Sequence, residues 1–219
     1  MKTVLALLIV LLLAAGLLFL DGGEPRNDAP VTGLPWQIER LPGGSTRVFG
    51  ITLGQTTLEE AVGRLGKDVE LAIIAAPQES GTLEAYYRHY AAGPVTGSLI
   101  LVLDIAGEML SGLRARGLRD SGTRRYLLHP DDLPVAYAAK VKVITFLPTL
   151  NLDEAIARAR FGTPAEILTA DDRQQHWLYP DQGLVLLLDA QGRDLLQYLA
   201  QREYRAHRER LRQAAAAGQ

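Results

Sequence analysis

The sequence predicts an α+β fold in which an N-terminal transmembrane helix is followed by two tandem small modules, each a short helix packed on an antiparallel sheet. Three observations predict it. The chain opens with an uncharged apolar run, its body combines capped helix signals with short alternating strand signals, and part of that pattern occurs twice. A short helix followed by several adjacent strands is typical of α+β domains rather than of parallel α/β folds.

The apolar run is Thr3–Leu20, which has 18 residues and no charge. As a helix it would be about 27 Å long, close to the ~30 Å hydrocarbon core of a bilayer. We therefore expect an uncleaved membrane anchor that makes the inner membrane itself a partner. Two alternatives stay open: cleavage as a signal peptide after the small residues 14–16, and burial as a core helix. Lipoprotein processing is excluded because the chain has no cysteine.

Charges on either side of the run predict its orientation. Lys2 precedes it, whereas Asp21, Glu24, Arg26 and Asp28 follow it. The positive-inside rule then places the N-terminus in the cytoplasm and the body across the membrane. The excess of arginine over lysine, with abundant alanine, leucine and glycine, indicates a GC-rich bacterial genome. We therefore expect a single-pass protein of the bacterial inner membrane with a periplasmic body.

Composition divides the chain into five segments. They are an anchor at 1–20, a linker rich in Gly, Pro and Asp at 21–33, a first α+β module at 34–120, a second at 121–201 and a basic C-terminal helix at 202–219. The absence of cysteine excludes disulfides, thiolate metal sites and thiol nucleophiles. A net charge of −2 gives no global field that attracts nucleic acid, so we expect no nucleic-acid partner.

The first module is predicted to begin with a hairpin and a capped helix. Runs 34–39 and 47–51 alternate in polarity on either side of a Leu-Pro-Gly-Gly turn. Thr57 and Glu60 form a capping box before a helix over 58–65, which a glycine ends. Beyond this helix we expect strands over 69–76, 83–90 and 98–105 and a short helix over 108–116.

The second module is predicted from the same signals. Asn151 and Glu154 form its capping box. The apolar stripe of its helix is predicted to be Leu152, Ala155, Ile156 and Ala159. Its remaining elements, with those that lead into it, are a strand over 124–128, a helix over 131–139 and strands over 140–147, 165–168, 176–179, 184–189 and 195–199.

Similar segments occur in the same order in both modules, which predicts an internal duplication. Residues 57–62 resemble residues 151–156 around the capping boxes. Residues 99–107, Leu-Ile-Leu-Val-Leu-Asp-Ile-Ala-Gly, match residues 184–192, Leu-Val-Leu-Leu-Leu-Asp-Ala-Gln-Gly, with five identities in nine. Since one short helix and a small meander bury little apolar surface alone, we expect the two copies to share a core.

These motifs also carry a family resemblance. The capped helix, the glycine that ends it, the aromatic strand His176–Tyr179 and the strand ending in Leu-Asp-x-x-Gly resemble the SmpA/OmlA type. Those are small lipoproteins of the outer-membrane β-barrel assembly machinery, and the pattern is also similar to β-lactamase-inhibitor-like modules. The resemblance implies a helix-on-sheet module in an envelope protein. This chain departs from the type by lacking a lipidated cysteine and by having two copies. The whole chain also resembles a group of proteobacterial single-pass membrane proteins, which implies no activity.

No catalytic constellation is visible. The serines are in neither a G-x-S-x-G elbow nor a β-lactamase spacing, and no phosphate-binding loop or paired metal-binding histidine occurs. His129 precedes Pro130, Asp131 and Asp132, which is compatible with a metal site but is favoured as a strand end followed by a helix N-terminus. We therefore assign no catalytic residue, cofactor or metal site.

Aromatic and basic residues on two strands predict a partner-binding surface. With a period of two, Tyr86, Arg88 and Tyr90 share one face of their strand, and Trp177 and Tyr179 share one face of theirs. The alternative is that these rings form cross-strand pairs that stabilise the sheet. Two functions follow as hypotheses. The first is a non-enzymatic, membrane-anchored periplasmic protein that binds an envelope protein. The second is a domain that binds or hydrolyses a small molecule, lipid or cell-wall fragment between the modules.

Overall fold

A computed structural model describes residues 32–76, 79–120, 124–169 and 173–217. The predicted anchor Thr3–Leu20 and most of the predicted linker lie outside these residues. Within the described ranges, no helix is both long and apolar enough to cross a membrane. What the structure describes is the body of the chain from residue 32 onward.

The described body consists of short helices and many strands. Its α-helices are α1 (Leu58–Leu65), α2 (Gly107–Arg116), α3 (Leu133–Ala138), α4 (Glu154–Phe161) and α5 (Gln201–Ala217). Its strands are β1 (Glu39–Arg40), β2 (Thr46–Val48), β3 (Ile51–Thr52), β4 (Glu70–Ile74), β5 (Thr82–Ala92), β6 (Val95–Asp104), β7 (Leu118–Arg119), β8 (Arg125–Leu127), β9 (Lys140–Pro148), β10 (Glu166–Thr169), β11 (Gln174–Tyr179), β12 (Leu184–Asp189) and β13 (Leu195–Leu199).

Ten of these strands form one sheet in the order β10-β11-β12-β13-β9-β6-β5-β4-β8-β7, and β1-β2-β3 form a separate three-stranded sheet. All pairs in the large sheet are antiparallel. Around the β9–β13 pair, β6-β5-β4 lie beyond β9 and β12-β11-β10 lie beyond β13, and β8 and β7 extend the sheet past β4. In that central pair, Val143 lies opposite Leu199 and Phe146 lies opposite Leu196.

The predicted fold class is wrong in its architecture. Helices and strands do occur together, but the body is mainly β-sheet and its two sets of strands do not form separate sheets. Two separate sheets built from 34–120 and 121–201 would leave β6 and β9 as edge strands, whose unpaired N–H and C=O groups promote association with other chains. Pairing β6 with β9 removes both edges. One buried cluster then extends through both halves of the sheet, from Ile73 to Trp177.

The two faces of the large sheet are covered differently. Helices α1 to α4 and the N-terminal strands contribute to the main core, for example through Leu58 and Ile51. On the opposite face, which we call the outer face, a smaller cluster joins Val143, Leu178 and Leu199 to Tyr204 of α5. Helix α5 therefore covers the half of the outer face that β10 to β13 form.

Of the two predicted capping boxes, the structure contains the first and not the second. At α1 the prediction is confirmed: the Thr57 hydroxyl accepts from the Glu60 amide, and the Glu60 carboxylate accepts from the Thr57 amide at 2.9 Å. The predicted start of α4 is wrong. Its N-cap is Asp153, whose carboxylate accepts from the Ile156 amide at 2.6 Å, so the helix begins two residues later than predicted.

The shift changes which side of α4 packs inward. Ala157 and Phe161 are buried, whereas the predicted stripe residue Ile156 is 43% exposed. Asn151, the predicted cap, instead donates its side-chain amide to the carbonyl of Gly192 at 3.3 Å. Asn and Asp are both good N-caps, so residue type alone does not distinguish the two positions.

Candidate functional site

Two of the five residues predicted to form a partner surface lie in the core. Trp177 is 0% exposed and Tyr179 is 4% exposed. The guanidinium of Arg158 lies 4.5 Å from the centroid of the Trp177 ring, and the Tyr179 hydroxyl donates to the carbonyl of Gly162 at 3.2 Å. The predicted surface role is therefore wrong for this pair, because the shared face of β11 is the one that packs inward.

A β-bulge moves the third predicted residue, Tyr90, away from its two neighbours. On β5 three steps separate Tyr87 from Tyr90, but their partners Leu99 and Gly97 are only two steps apart on β6. One extra residue in β5 reverses the alternation, so Tyr87 and Tyr90 share the core face. The Tyr90 ring accordingly packs 5.6 Å from that of Phe49, centroid to centroid.

Tyr86 and Arg88 remain together on the outer face, as predicted. The Arg88 guanidinium lies 5.8 Å from the centroid of the Tyr86 ring. Arg88 is exposed and Tyr86 is half-buried. Helix α5 packs on β10 and β13 rather than on β5. Partner binding through Tyr86 and Arg88 stays a prediction.

The bulge borders a surface depression of about 600 Å³, which we call the bulge cleft. Strands β5, β6 and β9 and the turn between β12 and β13 all contribute to it, so both halves of the sheet meet there. Its polar lining consists of Arg88, His89, Thr96, Ser98, Thr149 and Arg193. The cleft therefore combines cationic groups with hydroxyl groups that can both donate and accept hydrogen bonds.

Local contacts fix the shape of the bulge. The Ser98 hydroxyl donates to the carbonyl of Arg88 at 2.9 Å, so a side chain of β6 satisfies the bulged backbone. At Gly97, a Cβ atom would overlap the carbonyl oxygen of Leu147 and lie 2.8 Å from the Phe146 ring. Glycine at this position therefore permits the close approach of β6 and β9 that forms the floor of the cleft.

The charged groups among the described residues that line the cleft are cationic. None of the described residues that line it is a carboxylate. Arg88 is held at the rim by Glu70, 3.4 Å away, which also binds Arg125 at 2.8 Å. The hydrogen bonds from Arg125 and then from Arg88 lower the pKa of Glu70. Arg193 is exposed and has no ion-pair partner among the described residues. Its charge is therefore free for a ligand.

A second depression lies on the other face at the same end of the sheet, and we call it the apolar groove. It measures about 220 Å³ and is lined mainly by Trp36, Pro94, Pro148, Leu150, Ile156 and Phe161. Thr96 lines both depressions, and alternate residues of the segment 147–150 face one or the other. Leu150 is 78% exposed at its edge. The surface around the β5–β6 turn is therefore cationic on one side and apolar on the other.

The remaining histidines have structural surroundings. The His129 ring nitrogen accepts from the Asp131 amide at 3.3 Å and caps a 3-10 turn, which agrees with the structural interpretation of that motif. His176 on β11 and His207 on α5 lie near each other, and burial lowers the pKa of each. The described residues hold no group of three or more His, Cys, Asp or Glu side chains that could bind a metal ion.

Sequence reasoning found Arg88 but missed Arg193, Trp36 and the apolar groove. Arg193 lies in a turn without periodicity, and only the pairing of β13 with β9 brings it to the bulge. Trp36 is held against Arg160, whose guanidinium is 4.4 Å from the ring centroid. In the sequence, the proline and leucine residues near these positions are the local feature that could have indicated a groove.

Comparison with known proteins identifies no relative. No family model, curated protein or solved structure matches the chain. The family resemblance in the sequence is therefore neither supported nor opposed by these comparisons.

Proposed function

We propose that the protein is a non-enzymatic docking protein of the bacterial envelope that binds a protein partner at the bulge cleft. The observation that carries the proposal is the cleft itself, an open cationic surface on which Arg193 has no partner among the described residues. Cationic groups held on a rigid sheet without facing carboxylates favour recognition of a complementary surface. The adjacent apolar groove adds the buried contact area that protein interfaces use for affinity.

The proposal includes a location. Thr3–Leu20 would hold the chain in the inner membrane, with the N-terminus in the cytoplasm and the described body in the periplasm. The SmpA/OmlA resemblance supports a role in envelope assembly. A C-terminal fusion to alkaline phosphatase, which is active only in the periplasm, tests the orientation. We expect phosphatase activity. An inactive phosphatase fusion, together with an active fusion to a cytoplasmic reporter, would overturn the placement.

We also infer that the body arose by internal duplication. Tyr87 lies opposite Leu99 and donates to the carbonyl of the glycine that ends α1, at 3.2 Å. Tyr179 lies opposite Leu184 and donates to the carbonyl of the glycine that ends α4, also at 3.2 Å. Two matching tyrosine contacts at matching register positions support a common origin for the two halves.

A site-specific crosslink in native membranes tests the docking function. A photoreactive amino acid replaces His89, which is exposed in the cleft, and a matched variant carries it at Arg202, an exposed position that does not line the cleft. We expect a discrete crosslinked adduct from position 89 that position 202 does not give. The adduct should disappear when Arg193 is also changed to Glu. Equal labelling from both positions, or none from position 89, would overturn the proposal.

A second candidate function rests on the size of the cleft. Its volume of about 600 Å³ lies within the ~300–1,000 Å³ range of small-molecule sites. Polar groups from both halves of the sheet converge there, so a small anionic ligand such as a cell-wall fragment is the alternative occupant. Calorimetric titration of the full chain in detergent with soluble cell-wall fragments tests it. Saturable heat that Arg193→Glu abolishes would favour this candidate over protein docking.

A further inference from the structure

We infer that the bulge cleft and the apolar groove together recognise an extended acidic segment of a protein partner, one that carries a large apolar residue beside its carboxylates. This inference rests on the proposed docking function and specifies the chemistry of the partner. It draws on the charge of the cleft, the kind of polar groups that line it, and the size of the neighbouring groove.

The charge of the cleft selects an anionic occupant of low charge density. Arg88 shares its charge with Glu70 at 3.4 Å, whereas Arg193 is unshared among the described residues. One free and one partly neutralised arginine match single carboxylates. A phosphate dianion is usually met by several donors at once, such as a helix N-terminus or a cluster of unshared arginines. A carboxylate also receives the planar, two-point contact that a guanidinium provides.

The hydrogen-bonding groups that line the cleft favour a peptide ligand. Thr96 and Thr149 meet through their hydroxyls at 3.3 Å, and their backbones are joined by the Thr149 amide donating to the Thr96 carbonyl at 2.8 Å. The residues of the bulge, Arg88 and His89, have no directly opposed partner on β6. Such a lining offers both donors and acceptors, which suits the alternating amide and carbonyl groups of an extended chain.

The groove sets the size of the apolar contact. Its volume of about 220 Å³ is below the ~300 Å³ at which small-molecule sites usually begin. It therefore fits one large side chain and is small for the acyl chains of a lipid. Because Thr96 lines both depressions at the end of the sheet, a segment that passes over Thr96 can place one residue in the groove and others in the cleft. Leu150 and Ile156, which are 78% and 43% exposed, would be covered by that residue.

Fluorescence anisotropy of labelled decapeptides tests this inference on the full chain in non-ionic detergent. The first probe carries four Asp or Glu residues and one Leu, the second replaces every acid by Asn or Gln, and the third replaces the Leu by Ser. A fourth probe is a vesicle that contains phosphatidylglycerol and no peptide. We expect the first probe to bind about tenfold or more tightly than the second and the third.

Variants then assign the contacts. Arg193→Glu should weaken the first probe about tenfold, whereas Arg202→Glu, with the same change in charge, should leave it unchanged. Leu150→Ser should weaken the first probe and leave the third unaffected. Both altered side chains in the site are exposed, so the variants are expected to fold.

Three results would overturn the inference. They are equal binding of the acidic and amide peptides, no binding of any peptide, and binding of the vesicle alone with loss in Arg193→Glu. In each case the crosslink from position 89 decides the docking function separately. A crosslink that persists without acidic preference would leave docking intact and remove only its acidic specificity.

Discussion

Two buried tyrosines provide a matched test of how hydrogen bonding stabilises the body. Tyr198 on β13 is 0% exposed, and its hydroxyl donates to the carbonyl of Pro35 at 2.7 Å. Tyr204 on α5 is 4% exposed, and its hydroxyl has no hydrogen-bond partner among the described residues. Both change to Phe by loss of one oxygen, so the volume change is the same. The two variants differ in whether a partner is lost.

The two substitutions should change the free energy of unfolding differently. Tyr198→Phe removes a donor and leaves a buried carbonyl unpaired, which should lower the free energy of unfolding by about 1–3 kcal/mol. Tyr204→Phe removes a buried hydroxyl that is already unpaired. It should leave the free energy of unfolding unchanged or raise it by up to about 1 kcal/mol. The two variants should therefore differ by at least about 1 kcal/mol, and by about 2–3 kcal/mol near the middle of these ranges.

Urea denaturation of the full chain in detergent measures this difference. The fluorescence of the buried Trp177 reports unfolding. With a slope of about 2 kcal/mol/M, a difference of about 2 kcal/mol separates the two midpoints by about 1 M. If Tyr204→Phe instead costs more than about 1 kcal/mol, its hydroxyl has a partner and the reasoning fails. Tyr204→Ala is the control for packing and should cost about 3–5 kcal/mol in either case.

Three further predictions use the same assay. Gly97→Ala should lower the free energy of unfolding by about 1–3 kcal/mol, because its methyl would overlap the carbonyl of Leu147, and a neutral result would contradict that close approach. Burial lowers the pKa of His176 and His207, so the unfolded state binds more protons and stability should fall as pH drops below 6.5; replacing both by Asn should flatten this dependence. Glu166→Gln should cost about 1 kcal/mol and loosen α5, since the carboxylate binds two arginines of that helix at 2.8–3.0 Å; an unchanged urea midpoint would contradict a stabilising clamp.

Local signals in the sequence predicted local structure correctly. The capping box at Thr57 and Glu60 depends on residues three apart and on backbone amides of the same turn, so the sequence contains all of its parts. The same applies to Tyr86 and Arg88, which share a face of β5 just before the bulge reverses the alternation. Where two local signals competed, as at Asn151 and Asp153, the choice depended on a distant turn. The Asn151 side chain donates to the carbonyl of Gly192, and Asp153 is the cap.

Features set by distant pairing could not be predicted in this way. Alternation places Trp177 and Tyr179 on one face correctly but does not say whether that face is inward, which depends on the strands beside β11 and the helices packed on it. The bulge at Tyr90 is one extra residue in an otherwise regular run, and no residue type marks it. The β6–β9 pair joins strands from the two predicted modules, and it converts two expected sheets into one.

The two halves differ at equivalent carboxylates, and that difference explains why one part of the outer face is open. Glu70 and Glu166 each follow a helix-ending glycine by four residues and lie opposite Tyr86 and Leu178 respectively. Glu166 binds two arginines of α5 and so holds that helix over the sheet. Glu70 binds arginines of the sheet itself, one of which is Arg88.

After β13 the chain turns into α5, whereas after β9 it continues toward α4 on the core side, so no corresponding helix covers β5 within the described residues. Glu70 thus orients Arg88 at the rim of the bulge cleft in place of holding a helix. If this is its role, Glu70→Gln should change the affinity of the acidic peptide with little effect on stability, the reverse of Glu166→Gln. Equal loss of stability in the two variants would show that both carboxylates serve only the fold.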